Sequence, residues 1–149
     1  MPISMLNAAI EGATEALNIG TRGYPLTGIN VTILEMRYID GESDTIAYKI
    51  ASSIAVREAI RRANPVLLEP IFRLDISSPP ESVGDIISDI NSRKGRVESV
   101  DTKGNMQSIM CLAPLSELFG YVTKLRSLSQ GRASYSMNFY NYEPSFNKL

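Results

Sequence analysis

Apolar side chains recur at helical spacing in four stretches of this chain and alternate with polar ones in five more. In the first stretch, Met5, Ala8, Ala9, Gly12, Ala13, Ala16 and Leu17 fall on related helical faces, which predicts a helix over Ile3–Ile19 ending at Gly20, a residue suited to a left-handed cap. After a Gly-Tyr-Pro turn, residues 28–38 are rich in Val, Ile, Thr and Leu, and Ile29, Val31 and Ile33 alternate with polar neighbours, as in a strand. The acidic loop IDGESD follows. Ser43 or Asp44 is placed to cap a second helix with Ile46, Ala47, Ile50, Ile54 and Ile60 as its apolar positions, and that helix must stop ahead of Pro65.

Beyond Pro65 the rhythm changes. Phe72, Leu74 and Ile76 alternate with Arg73, Asp75 and Ser77 up to Pro79-Pro80, marking a strand with one buried face. Over residues 81–91, Val83, Ile86, Ile87 and Ile90 sit at i, i+3, i+4 and i+7, the spacing of a helix lying on a sheet, and Gly95 closes it. Strands are predicted at 96–101 and 106–113 around a four-residue TKGN turn, then a helix at 115–126 that buries Leu115, Leu118, Val122 and Leu125, then a strand at 133–142. The order βαββαβ predicts a ferredoxin-like antiparallel sandwich with both helices on one sheet face. Met110, Leu112, Tyr140 and Tyr142 are expected on the open face. The fold class is α+β: a helix-strand-helix arm over residues 1–66, with almost no linker to the sandwich over 67–149.

Composition narrows the chemistry. The 149 residues are 44% apolar and 21% charged with a formal net charge of −1, enough for two small domains with modest cores. Residues 1–66 hold six basic and seven acidic side chains and residues 67–149 nine of each, so no global field points to nucleic acid. A single cysteine, Cys111, excludes a disulfide framework and points to a reducing compartment; the absence of histidine removes the commonest metal ligand and general base. No phosphate-cradling G-x-x-x-x-G-K-[ST] occurs, no apolar run approaches the length of a bilayer span, and the carboxylate pairs Asp40/Asp44 and Asp85/Asp89 read as solvated charges. The chain is therefore expected to have no catalytic residues, metal site, cofactor or membrane anchor of its own, and to work in the cytoplasm.

What remains is binding. Arg93, Lys94 and Arg96 bracket Gly95 at the end of one helix, and Lys124, Arg126 and Arg132 gather at the end of the other. If the two helix ends face alike, they merge into one phosphate-binding edge, for which the planar arginine fork is well suited.

The motifs LLEP at 67–70, GD at 84–85, RKGR at 93–96, PLSELFGY at 114–121 and LRSLSQGR at 125–132 occur in the order and spacing of elongation factor G. The chain resembles the C-terminal part of that family, a translational GTPase that moves tRNA and mRNA through the ribosome. The resemblance implies that residues 67–149 are similar to its domain V, which approaches the sarcin-ricin loop and stalk base of the large subunit. It implies ribosome contacts at Ser116, Glu117, Phe119 and Gly120 and at Arg126, Ser127, Gln130 and Arg132. Residues 1–66 resemble the latter part of domain IV, whose tip, here Tyr38, Ile39, Asp40 and Gly41, reaches the decoding centre. On this reading the chain is a fragment, and GTP and Mg²⁺ belong to the parent protein.

One departure stands out. Where the family's tip reads SYHEVDSSE, this chain has RYIDGESDT, so Ile39 replaces a hydrogen-bonding ring with a hydrocarbon. That opens a reading as part of a recycling or ribosome-protection paralogue. A third reading, of another class, is a free-standing ferredoxin-like module that binds a small ligand on its open sheet face. Finally, a lone strand at 28–38 would carry unpaired backbone groups, which predicts self-association through it or poor order.

Overall fold

The computed structural model describes residues 2–20 and 22–145; residue 1, Thr21 and residues 146–149, which belong to the two ranges expected above, lie outside the described residues. The chain divides into two units, Met1–Pro65 and Val66–Leu149.

The first unit rests on helices α1 (Ile3–Ile19) and α2 (Thr45–Arg62). The face of α1 formed by Ala8, Ala9, Gly12, Ala13 and Ala16 is buried, and small residues there let the two helices approach closely. At Gly12 a Cβ would run into the Lys49 carbonyl and the Ser52 hydroxyl, so only glycine fits. Ala13, Ala16, Val56 and Ile60 form the core, with Leu17 and Leu26 partly buried against it. Outside it, Lys49 bridges Glu11 and Glu15, each at 2.8 Å. Gly20 takes the expected positive φ of 63°, but its ψ of 177° lies outside the left-handed helical region, in backbone space open essentially to glycine alone.

Two expectations fail in this unit. Ile46, Ile50 and Ile54 are 63%, 54% and 62% exposed, not buried. At 100° per residue they form a stripe beside the one centred on Val56 and Ile60, and α1 covers only the latter. Residues 28–38 form no strand. A strand exists only by pairing, and among the described residues no backbone N–H of residues 27–38 has a partner; of their carbonyls only that of Arg37 is engaged, accepting from the Tyr48 hydroxyl at 2.6 Å. Asp44 stands at the N-cap of α2 without a side-chain capping bond, while Ser43 Oγ instead accepts from the Ile39 amide.

The second unit is a four-stranded antiparallel sheet in the order β2-β3-β1-β4, with β1 (Leu68–Ser78), β2 (Arg96–Lys103), β3 (Met106–Pro114) and β4 (Ser134–Pro144). Helices α3 (Val83–Ser92) and α4 (Tyr121–Leu128) cross between them. Leu74 and Ile76 of β1 and Ile109, Cys111 and Ala113 of β3 point to one face, where Ile86, Ile90, Leu118, Tyr121 and Leu125 close over them. Both helices therefore lie on one side, as the alternation predicts.

Several boundaries move. The β2–β3 hairpin has a two-residue loop, Gly104 and Asn105, because Lys103 pairs with Met106; Gly104 alone takes positive φ. The helix expected at 115–126 is interrupted: a 3₁₀ turn at Leu115–Glu117 is followed by Gly120 in the left-handed conformation, and α4 starts only at Tyr121. That break turns Tyr121 into the core and leaves Val122 exposed. At the end of α3 the left-handed residue is Lys94 (φ 59°), not Gly95, whose amide bonds the Ile90 carbonyl at 2.9 Å. Gly95 is needed for space, since a Cβ there would lie 2.6 Å from Ile90 Cγ2.

The open sheet face also differs from expectation. Leu112 faces it, yet is only 2% exposed, as is Ile71 at 4%. Arg96, paired with Leu112 across β2–β3, forks onto the Glu143 carboxylate of β4 at 2.7 and 3.0 Å. To join the two edge strands this pair must span β3 and β1, so the arginine stem lies over Leu112 and Ile71. Beside it Arg73 stacks on Tyr140 at 4.8 Å. Of the four residues expected there, Tyr140 is exposed and Met110 half-buried, whereas Tyr142 lies on the opposite side, because the irregularity in β4 pairs it with Pro70 and brings its ring within 5.2 Å of Phe139, itself against Phe72 of the core.

Candidate nucleic-acid interface

The two basic clusters do not merge. Adjacent strands are antiparallel, so α3 and α4 also run in opposite directions, and the end of each helix sits beside the start of the other. Arg93, after α3, donates to the carbonyls of Glu117 (2.7 Å) and Phe119 (3.3 Å) ahead of α4. Arg132, after α4, meets Glu81 ahead of α3 at 2.8 Å. The helix layer thus carries one candidate cluster at each end.

The first end is largely committed internally. Arg93 pairs with Asp89 at 2.8 Å, lies 5.4 Å from the centre of the Tyr121 ring and holds the loop entering α4, so it acts as a strut. Lys94 meets Glu117 at 2.7 Å, and that carboxylate's hydrogen bond raises the lysine's pKa. Ser116 donates to Glu69 at 3.1 Å. Gly120 takes φ of 72°, and this bend projects Phe119 into solvent at 80% exposure. An exposed ring of this kind offers a face on which a base can stack.

The second end is more available. Both helices finish in the same backbone motif: the Gly131 amide reaches back to the Arg126 carbonyl at 2.8 Å, as Gly95 does to Ile90, and Gln130 (φ 52°) takes the left-handed place that Lys94 takes in the first. Ser127 and Gln130 are exposed. Among the described residues, the side chains of Lys124 and Arg126 have no hydrogen bond or ion pair, whereas those of Arg93, Lys94, Arg96 and Arg132 each have a carboxylate partner. Helical geometry places Lys124 and Arg126 on opposite flanks of α4, so they suit two separate phosphates rather than one pocket.

The loop before α2 is ordered by its own contacts. The Tyr38 hydroxyl donates to Asp40 at 2.9 Å, which raises the phenol's pKa, and Gly41 takes φ of 77°. The amides of Glu42 and Ser43 reach the Ile39 carbonyl at 3.3 and 3.0 Å, and Ile39 itself is 49% exposed. The carboxylate partners Glu81 and Glu143 were not anticipated, because single-sequence reading locates charge clusters but not their long-range neutralisers; Asp89, expected as a solvated charge, is instead largely buried against Arg93 one helical turn on. Among the described residues no three His, Cys, Asp or Glu side chains are grouped to hold a metal, and no helix is long and apolar enough to cross a membrane.

Comparison with known proteins covers both units. Residues 66–149 match the family model described as elongation factor G C-terminus, and residues 1–64 match that for elongation factor G, domain IV. Elongation factor G of Thermotoga maritima is 47% identical over 144 residues, and that of Fervidobacterium nodosum 44% identical over 144; each alignment covers 96% of this chain. The chain spans 21% of the length of those relatives. A crystal structure of a Thermus thermophilus protein superposes with a TM-score of 0.83 at 33% identity, covering 98% of this chain and 22% of that one.

Proposed function

The chain belongs to the elongation factor G family, and from that premise we propose that it is a ribosome-binding segment serving tRNA–mRNA translocation in the cytoplasm, with no GTP chemistry of its own. The second unit contacts large-subunit RNA, at the sarcin-ricin loop and stalk base, and the loop at Tyr38, Ile39, Asp40 and Gly41 is directed at the decoding centre. The observation that carries this reading is the coincidence of family membership with two unneutralised cations, Lys124 and Arg126, and a projecting Phe119 on the helix layer. GTP and Mg²⁺ belong to the longer protein's nucleotide-binding region.

The carboxylate pairs set an order among the basic residues. A phosphate that takes Arg132 or Lys94 must displace Glu81 or Glu117, while Lys124 and Arg126 bind without displacing anything. Each charge-assisted bond to phosphate contributes about 1.5 to 3 kcal/mol. Binding of the chain to isolated large subunits is therefore expected to fall about tenfold or more for Arg126→Ala or Lys124→Ala, with a shallower salt dependence, and less for Arg132→Ala. Unchanged affinity in the Lys124/Arg126 double variant refutes the assignment.

Ile39 favours a second reading, as part of a recycling or ribosome-protection paralogue. Its half-exposed hydrocarbon, flanked by Asp40 and Glu42, offers bulk where a ring would offer hydrogen bonds. Ile39→His in the longer protein, assayed for translocation and subunit splitting, separates the two: a gain in translocation supports the paralogue reading, and no change supports the translocase.

A further inference from the structure

We propose that Arg93 is a positioning residue for the exposed Phe119 ring: it sets how the loop ahead of α4 presents a stacking face to an unstacked RNA base, and does not itself bind phosphate. The inference rests on the reading of the second unit as an RNA-binding surface. Phe119 is 80% exposed and no other ring packs on it among the described residues, so its placement comes from the backbone beneath. On either side, Leu118 and Tyr121 are held in the core at 8% and 2% exposure, and Gly120 turns left-handed between the ring and Tyr121.

The end of α3 fixes the stretch between those anchors. Neither the Glu117 nor the Phe119 carbonyl accepts from a backbone amide among the described residues, because the 3₁₀ turn stops there and α4 has not begun. Both accept instead from Nη1 of Arg93, at 2.7 and 3.3 Å. The guanidinium is held in turn, since its Nε donates to Asp89 at 2.8 Å and its plane lies 5.4 Å from the centre of the Tyr121 ring. At 19% exposure this side chain has little surface left for an RNA phosphate. A planar fork that reaches from one carboxylate to two carbonyls fixes the main chain on both sides of Leu118, which a point charge on a flexible stem does not. Lys94, the next residue, adds only a bond to the Glu117 carboxylate, at 2.7 Å.

Binding of the 149-residue chain to isolated large subunits, measured as a function of salt, tests this. Phe119→Ala is expected to weaken binding about tenfold, as the loss of one stacked base does. Arg93→Ala is expected to weaken it by a similar factor with an unchanged salt dependence, because no phosphate contact is lost. The double variant should bind no more weakly than Phe119→Ala alone, since without the ring there is nothing to position. Asp89→Asn keeps the arginine but releases its anchor; it should weaken binding less, and only while Phe119 is present, which carries the test if Arg93→Ala does not fold. Effects that multiply in the double variants overturn the proposal, and so does a salt slope reduced by about one in Arg93→Ala, the mark of a direct phosphate ligand. Phe119→Ala without effect overturns it too, and the ribosome-binding reading survives that result as long as the Lys124/Arg126 double variant still loses affinity.

Discussion

The two units use similar apolar content to opposite effect. In the second, Leu74, Ile86, Ile90 and Ile109 are fully buried within one cluster, because a sheet and two helices can enclose a volume. In the first, two helices meet along one line, so the core shrinks to small or branched residues such as Ala13, Ala16, Val56 and Ile60, while Ile46, Ile50 and Ile54 stay in solvent. A helix pair has no third side with which to close a core. The difference teaches that periodicity reports which residues seek cover, and topology decides which find it.

The strongest way to break that comparison is to truncate one isoleucine in each unit. Ile90→Ala is expected to cost about 2 to 5 kcal/mol in the second unit, because it opens a cavity in a closed core. Ile50→Ala should change stability by no more than about 0.5 kcal/mol. Urea titrations of both variants check this, and equal losses would mean that the stripe on α2 is covered in solution.

A second comparison concerns close approach, which both units rely on at a glycine. Gly95→Ala pushes a Cβ against Ile90, and Gly12→Ala pushes one against the Lys49 backbone where the two helices cross. Overpacking of this kind costs about 1 to 3 kcal/mol. The first unit has less core to absorb the shift, so Gly12→Ala should melt its helices selectively, seen as a loss of helical circular dichroism while the sheet of the second unit remains.

These contrasts also show what was legible in the chain. Helix α1 emerges at its expected bounds, and the βαββαβ order follows from alternation and period alone, since both report local geometry. The buried face of α2 was not legible because it depends on what packs against it. The late start of α4 was hidden by apolar residues that continue the helical rhythm through Gly120, where the backbone turns left-handed. At the interface the basic residues were visible, but the separation of their clusters follows from strand direction, and the Arg96–Glu143 pair joins residues 47 positions apart.

Alkaline pH sharpens the contrast by a smaller margin. Burial pushes the Cys111 thiol up to about 12 from 9.0, and burial also raises the Tyr121 phenol, whose buried oxygen has no hydrogen-bond partner among the described residues. Each group ionises more easily unfolded, so the stability it contributes is complete below about pH 9 and is lost as pH rises toward 12. Both lie in the second unit. Its denaturation midpoint is expected to fall as pH rises above about 9, and Cys111→Ala should flatten part of that slope. A slope unchanged by the substitution assigns the limb to Tyr121 alone.

The smallest expected effect probes how the second unit seals the sheet face that its helices leave open. The Arg96–Glu143 pair is partly exposed, and an exposed pair contributes at most about 1 kcal/mol, but this one also lays an arginine stem over Leu112 and Ile71. Hydrogen bonding from Arg96 lowers the Glu143 pKa below its ordinary 4.5. A lowered carboxylate contributes stability that is present above the ordinary value and is lost as pH falls through the lower, folded one. Glu143→Gln should therefore be slightly less stable than the parent chain at about pH 7, with the gap closing as pH falls below the ordinary carboxylate value and the parent's own carboxylate becomes protonated. Urea midpoints at neutral pH and through the acid range measure this. A gap that persists at low pH would mean that glutamine disturbs packing rather than charge, and that the apolar face is sealed by β4 itself and not by an ion pair reaching across the sheet.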